Sequence, residues 1–364
     1  MPLGGQRLMR RTALITRLME TWVRRPRTPN RLVLDVTRRC NLRCEMCRTW
    51  EAPRAHELTP DELGALMDQL PGLVWLDVTG GEVFLRTDAE ALLMTIATRA
   101  RALEVLHFPT NGWFTRRVVA ATRALRERTA LELIITVSVD GPPAVHDRVR
   151  GRAGSFERAL ATFEALRAID GVDVYVGTTI TPHNADAVEE LGALLQARVP
   201  GFTHREWHWN WQQISGHFFN NATLASAAKV RPRQLVQQHV RRRGLPTGLV
   251  DMMELLFLVN LEFYQRGEPS GIVCQALRST AFISPEGDLY PCHVYDRPLG
   301  NIRGRDIAEL WRSRAVLEAR ADIEQLACGG CFTPCEAYPA IAGAPRQTIA
   351  ATARRALQLV IAAT

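Results

Sequence analysis

The feature that most restricts the fold is a regular alternation of apolar, strand-like segments with helix-like segments between residues 31 and 213. Strands are predicted at 31–37, 73–79, 103–110, 131–140 and 172–181, with a sixth around 205–213. Helices are predicted at 59–70, 88–101, 115–128, 155–169 and 184–198, the first with Thr59 as N-cap. This alternation specifies an α/β fold with a parallel sheet, which right-handed crossovers curl into a partial (βα)6 TIM-like barrel.

The chain of 364 residues is long enough for one large α/β domain and a smaller one. Helices predicted at 222–243 and 247–266 bridge to a β-hairpin at "ISPEGDLYPC" (283–292). The predicted organisation begins with an amphipathic N-terminal segment (1–30), an α/β core (31–215) and a helical bridge (216–269). A small C-terminal cluster domain (270–340) and a C-terminal helix (341–364) follow.

Chemically distinctive residues follow the predicted strands. The motifs are Cys40/Cys44/Cys47, Gly80-Gly81-Glu82, Thr110-Asn111-Gly112, Ser138-Val139-Asp140-Gly141 and Thr181-Pro182-His183-Asn184. Each alone is compatible with ordinary turn chemistry. Together they would project from the C-terminal edge of one sheet, which is where such folds build their sites.

Eight cysteines fall into two groups, at 40–47 and at 274–335. Residues 1–30 lack the continuous apolar core of a signal peptide. Clustered cysteines in a chain that is not exported indicate metal ligands rather than disulfides, and they favour a cytoplasmic location.

The first group has the spacing Cys40-x3-Cys44-x2-Cys47. Because [4Fe–4S] clusters are normally held by four cysteines, three thiolates would leave one iron open for a ligand. The alternatives are a zinc site completed by a remote residue such as His56, or a closed electron-transfer cluster completed by a distant cysteine.

This motif, directly after the first strand, resembles the signature of the radical S-adenosylmethionine (SAM) superfamily. The resemblance implies that SAM chelates the open iron and is reductively cleaved to a 5′-deoxyadenosyl radical, which abstracts hydrogen from a substrate. It also implies an external electron donor, such as flavodoxin or ferredoxin. It covers roughly residues 31–215.

The same resemblance assigns SAM contacts. Gly80, Gly81 and Glu82 match the Gly-Gly-Glu stretch that holds the methionyl amino group, where glycines admit close backbone approach and a carboxylate suits an ammonium. The other expected SAM contacts are Met46, Asn111, Ser138 and Asp140. His146, Asp147 and Arg150 are expected to be local scaffolding.

The second group consists of Cys274, Cys292, Cys328, Cys331 and Cys335. With Gly287 and the Gly-Asn-Ile at 300–302, it resembles the SPASM/twitch extension of radical SAM enzymes. Five cysteines match the twitch-like form with one auxiliary [4Fe–4S] cluster. Four of them would bind the cluster, and the sequence does not identify the fifth, unused thiol. The cluster would accept an electron from the substrate or bind it. A structural zinc site is the alternative.

The segment "FTHREWHWNWQQISGHFFNN" (202–221) is rich in aromatic and imidazole rings. It could line the adenine and substrate pocket, or it could form the packed seam between core and extension. Arg205, Glu206, His208 and Gln212 are its polar candidates for substrate contact.

Charge and hydropathy restrict the partners. The formal charge is +7, but Lys229 is the only lysine and no nucleic-acid signature accompanies the arginines. Residues 7–25 place apolar side chains on one helical face, which fits packing on the domain or a peripheral membrane contact. No segment is apolar enough to cross a bilayer.

Three functional interpretations follow. The first is a radical SAM enzyme acting on a small-molecule, lipid-like or sugar-like substrate, favoured by the short segment before the first strand. The second is a ribosomal-peptide maturase that makes thioether, carbon–carbon or epimerised products. The third is a non-catalytic iron–sulfur or zinc protein.

Overall fold

The computed structural model describes residues 25–54, 56–224, 232–265, 271–328, 330–344, 346–352 and 355. Residues 1–24 of the predicted amphipathic segment and residues 356–364 of the predicted C-terminal helix lie outside this part of the chain. The expectations placed on those residues therefore stay predictions.

The secondary structure follows the predicted alternation. The strands are β1 (Arg31–Asp35), β2 (Trp75–Thr79), β3 (Val105–Thr110), β4 (Glu132–Ser138), β5 (Val172–Ile180), β6 (Trp207–Trp211), β7 (Thr280–Ile283), β8 (Asp288–Tyr290) and β9 (Gly300–Asn301). The helices of the core and bridge are α1 (Pro60–Asp68), α2 (Ala89–Arg99), α3 (Thr115–Arg128), α4 (Pro143–Val149), α5 (Ser155–Arg167), α6 (Val188–Arg198), α7 (Pro232–Arg243) and α8 (Leu249–Gln265). Those of the C-terminal part are α9 (Ile307–Trp311), α10 (Arg314–Glu324) and α11 (Pro334–Gly343). Short 3₁₀ turns lie at Thr49–Glu51, Val83–Leu85, Ala185–Ala187 and His204–Glu206.

All nine strands form one open sheet, in the order β6-β5-β4-β3-β2-β1-β7-β8-β9. Strands β1 to β6 are parallel, which confirms the predicted α/β partial barrel. Strand β7 also pairs with β1 in parallel, and β8 and β9 continue antiparallel. The C-terminal hairpin therefore extends the core sheet, a non-local pairing that the sequence did not predict.

The predicted N-cap of α1 is confirmed. Thr59 Oγ1 accepts a hydrogen bond from Glu62 N at 3.2 Å, and the Glu62 carboxylate accepts one from Thr59 N at 2.9 Å. This capping box satisfies backbone N–H groups that the first helical turn leaves free. Glu62 also pairs with Arg303 Nε at 2.7 Å, which ties α1 to the segment after β9.

The two faces of the sheet differ in character. Leu32 and Leu34 of β1 are fully buried in the main apolar core, where the sheet packs on its helices. Arg31 and Val33 alternate with them and line an internal cavity. Within the described residues, no helix has both the length and the apolar character needed to span a bilayer.

Candidate active site

The cysteine loop lies at one end of the internal cavity. Cys40, Cys44 and Cys47 all line that cavity, as does Met46. Cys44 and Met46 belong to a small buried cluster, separate from the main core, which also contains Leu42 and Val149. The three thiols thus line one cavity and contact the same apolar cluster.

Main-chain hydrogen bonds fix the cysteine loop from one side. Arg43 N donates to Arg150 O at 3.1 Å, and Glu45 N donates to Val149 O at 2.9 Å. Both acceptors lie at the end of α4, so that helix positions the segment between Cys40 and Cys47.

The segment after β6 fixes the loop from the other side. Asn221 Nδ2 donates to Met46 O at 2.8 Å, and Arg48 N donates to Phe219 O at 2.8 Å. Because the loop is held on two sides, its three thiols have a defined position relative to the sheet edge.

The Gly-Gly-Glu segment after β2 packs closely against the same loop. Gly81 N donates to Thr37 O at 2.6 Å, and Glu82 N donates to Arg39 O at 2.8 Å. A Cβ atom on Gly81 would lie 2.3 Å from Arg39 O, so a side chain there would displace the backbone. Gly80 and Gly81 both line the cavity.

Glu82 is used differently from the two glycines. Its carboxylate is buried, and it accepts hydrogen bonds from Asn111 N at 2.8 Å and from Thr110 Oγ1 at 3.1 Å. Burial raises the pKa of Glu82 above its ordinary value, and these donors oppose the rise. Glu82 does not line the cavity, so in this structure its carboxylate orients the loop after β3.

Asn111 and Ser138 reach the cavity as expected. Asn111 Nδ2 donates to Asn41 Oδ1 at 2.9 Å and lies 3.9 Å from Cys40 Sγ. Ser138 is the last residue of β4 and is half-buried. The ends of β3 and β4 therefore bring polar groups to the cavity beside the cysteine loop.

Asp140 does not line the cavity itself. It is fully buried, accepts a hydrogen bond from Thr179 N at 2.9 Å, and forms an ion pair with Arg150 Nε at 2.5 Å. Arg150 does line the cavity, and its Nη1 lies 3.9 Å from Cys44 Sγ. Burial raises the pKa of Cys44, and the positive charge of Arg150 is the largest opposing effect.

Arg150 is thus a site residue that sequence reasoning placed in the scaffold. His146 and Asp147 do have local roles: Asp140 N donates to His146 Nδ1 at 3.0 Å, and Asp147 accepts from Phe156 N at 2.8 Å. The sequence offered one indication that Arg150 lies near the cysteines: it directly follows α4, the helix that packs on the cysteine loop.

The cavity has a volume of about 400 Å³ and runs the depth of the sheet. It reaches from the cysteine loop down to the first residues of β1 to β4. Met253 and Glu254 of α8, and Cys335 and Tyr338 of α11, line its lower end. Its size is in the range of small-molecule pockets.

A buried polar network lines the lower half. Asp77 pairs with Arg31 Nη2 at 2.5 Å and with His107 Nδ1 at 2.7 Å, and His107 Nε2 lies 3.0 Å from Thr136 Oγ1. These residues were missed at the sequence level. Their signal is a charged or imidazole side chain inside an otherwise apolar strand, which a buried strand tolerates only with a partner.

The aromatic segment contributes both cavity-lining side chains and side chains packed against α7. His208, Trp209 and Gln212 line the cavity, and Trp209 also stacks on His239 of α7 with centroids 3.9 Å apart. Arg205 and Glu206 do not line the cavity. Arg205 donates to backbone carbonyls, including Leu245 O at 2.7 Å, and Glu206 pairs with Arg167 at 2.8 Å.

The five C-terminal cysteines divide into four and one. Burial raises the pKa of Cys331 well above the usual thiol value, and the nearby thiols of Cys292 and Cys274, the Glu336 carboxylate and the Cys328 thiol contribute to that rise. Burial also raises the pKa of Cys335, to about 12, but the charges acting most strongly on it are Asp77, Arg31 and Glu336. Cys335 alone of the five lines the cavity.

Backbone amides face two of the four grouped sulfurs. Ala276 N donates to Cys274 Sγ at 3.5 Å, and Tyr295 N donates to Cys292 Sγ at 3.3 Å. Such N–H···S contacts suit thiolates that carry an iron–sulfur cluster. The donor chemistry of both cysteine groups therefore fits cluster binding.

A mononuclear metal site fits less well. Among the described residues, no three His, Cys, Asp or Glu side chains converge closely enough to bind one metal ion. A cubane places each thiolate on a different iron and does not require that convergence. His56, the remote ligand considered for zinc, is exposed and does not line the cavity.

Comparison with known proteins finds two family models that match separate regions of this chain. The family model for the radical SAM superfamily matches residues 34–195. The model for an iron–sulfur cluster-binding domain, SPASM, matches residues 274–332, which include the four grouped cysteines and end before Cys335.

Individual relatives span most of the chain. An AdoMet-dependent heme synthase of Oleidesulfovibrio alaskensis is 28% identical, over 82% of this chain and 78% of the relative. The subtilosin biosynthesis protein AlbA of Bacillus subtilis is 24% identical, over 84% of this chain and 67% of its own length. The structure of Streptococcus suis SuiB bound to S-adenosylmethionine has a TM-score of 0.58 at 14% identity, covering 81% of this chain and 68% of SuiB. That structural likeness supports the fold.

Proposed function

This chain is a radical SAM enzyme with a C-terminal iron–sulfur cluster-binding domain, and from that premise we propose that Cys40, Cys44 and Cys47 hold the [4Fe–4S] cluster that its family uses to cleave SAM. The observation that carries the proposal is that these three thiols line the same cavity as the glycine pair Gly80-Gly81. When bound, the cluster supplies the electron that converts SAM into methionine and a 5′-deoxyadenosyl radical. The membership also removes the third interpretation, a non-catalytic protein.

The residues around the cysteine loop would bind SAM. The Gly80-Gly81 backbone offers a surface without side chains for the methionyl end, and Asn111 and Ser138 offer polar groups beside it. Met46 contributes a thioether to the apolar wall, which suits an adenine ring. Asp140 would act through Arg150, which carries a positive charge toward the SAM carboxylate.

For the second cluster, we assign Cys274, Cys292, Cys328 and Cys331 as ligands. Their mutual electrostatic influence and the extent of the cluster-binding family model support this set. An auxiliary cluster there would accept an electron from the substrate or bind it. Cys335 lies outside the set and faces the cavity instead.

We propose that the substrate binds in the lower half of the cavity and is a compact metabolite. The support is the cavity volume of about 400 Å³, which must also admit part of SAM, and the polar lining by His107 and His208. The reaction class is hydrogen abstraction, followed by loss of a second electron from the substrate.

Peptide maturation is the second candidate. The likeness to the subtilosin biosynthesis protein over 84% of this chain favours it. A peptide substrate would present one side chain or terminus to the same cavity.

Anaerobically reconstituted protein tests both levels of the proposal. With SAM and dithionite, wild-type protein should form 5′-deoxyadenosine, and Cys40→Ala should form none while keeping the iron of the second cluster. Absence of cleavage by wild-type protein would refute the radical SAM assignment of these cysteines.

The substrate class can then be tested with deuterium. Extract from cells grown in deuterated medium is separated by a filter with a small mass cut-off, and each fraction is added to the reaction. Deuterium in 5′-deoxyadenosine from the low-mass fraction supports a metabolite. Deuterium only from the retained fraction supports a peptide.

A further inference from the structure

Four exposed arginines surround the cysteine loop on its outer side. We call Arg43, Arg148, Arg152 and Arg158 the arginine collar. Arg43 belongs to the loop itself, and the other three lie in or after α4 and in α5. Within the loop, Arg43 is exposed while its neighbour Cys44 is buried.

The collar contacts the cysteine loop directly. Arg152 Nη1 donates to Asn41 O at 3.0 Å. The guanidinium groups of Arg152 and Arg158 lie 3.6 and 4.4 Å from the ring centroid of Trp113. Trp113 in turn packs against the buried cluster around Cys44, so one aromatic ring separates the collar from the thiols.

The collar arginines have neutral partners but no carboxylate among the described residues: Arg148 Nη2 donates to His183 O at 2.7 Å, and Arg43 lies over the Trp50 ring. None of its four arginines forms an ion pair with a carboxylate in the described part of the chain, unlike Arg198 with Glu157 at 2.8 Å. Other exposed arginines, such as Arg123 and Arg305, also lack one there, and the collar differs from them in that its four charges lie around the cysteine loop. The exposed carboxylate of the cysteine loop, Glu45, lies 3.8 Å from His183 Nδ1. The face around the loop therefore carries uncompensated positive charge.

We infer that the arginine collar is the docking surface for an acidic electron-carrier protein. The inference rests on the proposed function, because the cluster assigned to Cys40, Cys44 and Cys47 requires an external electron. Electron-transfer encounters bury little area and depend on charge steering, and a ring of unpaired arginines supplies that steering. The collar lies directly outside the cluster loop. This position favours an electron carrier over a nucleic acid, because only the carrier has to approach the cluster.

Charge reversal tests this surface. Arg148→Glu/Arg158→Glu changes two collar residues, and Arg123→Glu/Arg305→Glu is the matched control on exposed arginines of α3 and the segment after β9. Association of the reconstituted enzyme with an acidic flavodoxin is measured at low and high salt. 5′-Deoxyadenosine formation is measured with reduced flavodoxin and with dithionite.

The collar variant should bind flavodoxin at least about tenfold more weakly at low salt, and salt should narrow the difference because it screens exposed charges. Flavodoxin-supported cleavage should fall in parallel, while dithionite-supported cleavage and the control variant stay near wild type. Failure of wild-type protein to bind flavodoxin, equal binding after charge reversal, or tighter salt-dependent binding of a short DNA duplex would overturn the inference. If wild-type protein did not cleave SAM with dithionite, the proposed function would be rejected instead. The comparison of flavodoxin binding between wild type and the collar variant would still show whether the collar is a docking surface.

Discussion

Asp140 and Arg150 form a buried ion pair, with Arg150 Nε 2.5 Å from Asp140 Oδ2. The Asp140 side chain is fully buried and that of Arg150 is 11% exposed, so neither charge has much water to solvate it. The pair joins the end of β4 to the residue that faces Cys44. Breaking one partner of such a pair leaves the other charge uncompensated.

Asp140→Asn should therefore lower the free energy of unfolding by about 3 kcal/mol. The measurement is urea unfolding of the wild-type protein and the variant. Glu157→Gln is the matched control, because it breaks an ion pair that is exposed to solvent: the side chains of Arg198 and Glu157 are 41% and 57% exposed, respectively. That change should cost less than about 1 kcal/mol. Equal losses of unfolding free energy in the two variants would show that the buried ion pair stabilises the protein no more than the exposed one.

Gly81→Ala should disturb the cysteine loop. A Cβ at this position would lie 2.3 Å from Arg39 O, and both backbones are hydrogen-bonded in place, so we expect a loss of about 1–3 kcal/mol in unfolding free energy. Iron retained after reconstitution should fall as well.

Gly72→Ala is the control for that substitution. A Cβ there meets nothing within 4 Å. It should leave both stability and iron content near wild type. A Gly81→Ala protein that matches Gly72→Ala in both measurements would mean that the loop accommodates the extra atom.

Local patterns explain why much of this fold was predictable. The strands, the Thr59 cap and the cysteine loop each depend on neighbouring residues, so the sequence displays them directly. The position of Asn111 and Ser138 beside the cysteines follows from one further rule, that parallel strands end at a common edge.

The remaining features depend on contacts distant in sequence. Pairing of β7 with β1 joins segments about 250 residues apart, and no local pattern encodes it. Arg150 became a site residue only through its approach to Cys44. The division of the C-terminal thiols could not be predicted either, because Cys335 is only four residues beyond Cys331 but faces Arg31 and Asp77 from the first turn of α11.

Glu254 should make stability depend on pH. Burial raises the pKa of this carboxyl from 4.5 to about 6, and Tyr338 donates a hydrogen bond to it. Because the folded state holds the proton more tightly than the unfolded state, stability due to this group falls as pH rises from 4.5 through 6. The penalty at neutral pH is about 2 kcal/mol.

Glu254→Gln isolates this effect, since its amide does not titrate. The difference in unfolding free energy between variant and wild type should shift in favour of the variant by about 2 kcal/mol between pH 4.5 and 7. Comparing the two proteins at each pH cancels the other buried groups, including the histidines, whose effect has the opposite sign. A difference that is constant with pH would place the Glu254 pKa at its ordinary value.

The variants Cys331→Ser and Cys335→Ser should distinguish a thiol that binds the second cluster from a thiol that only lines the cavity. If Cys274, Cys292, Cys328 and Cys331 hold the second cluster, Cys331→Ser should lose about four irons per chain on reconstitution, while Cys335→Ser should keep the wild-type content. Iron and sulfide analysis with Mössbauer spectroscopy provides the measurement. The opposite pattern, with iron lost from Cys335→Ser and retained in Cys331→Ser, would exchange the two roles and place a cluster ligand on the cavity wall.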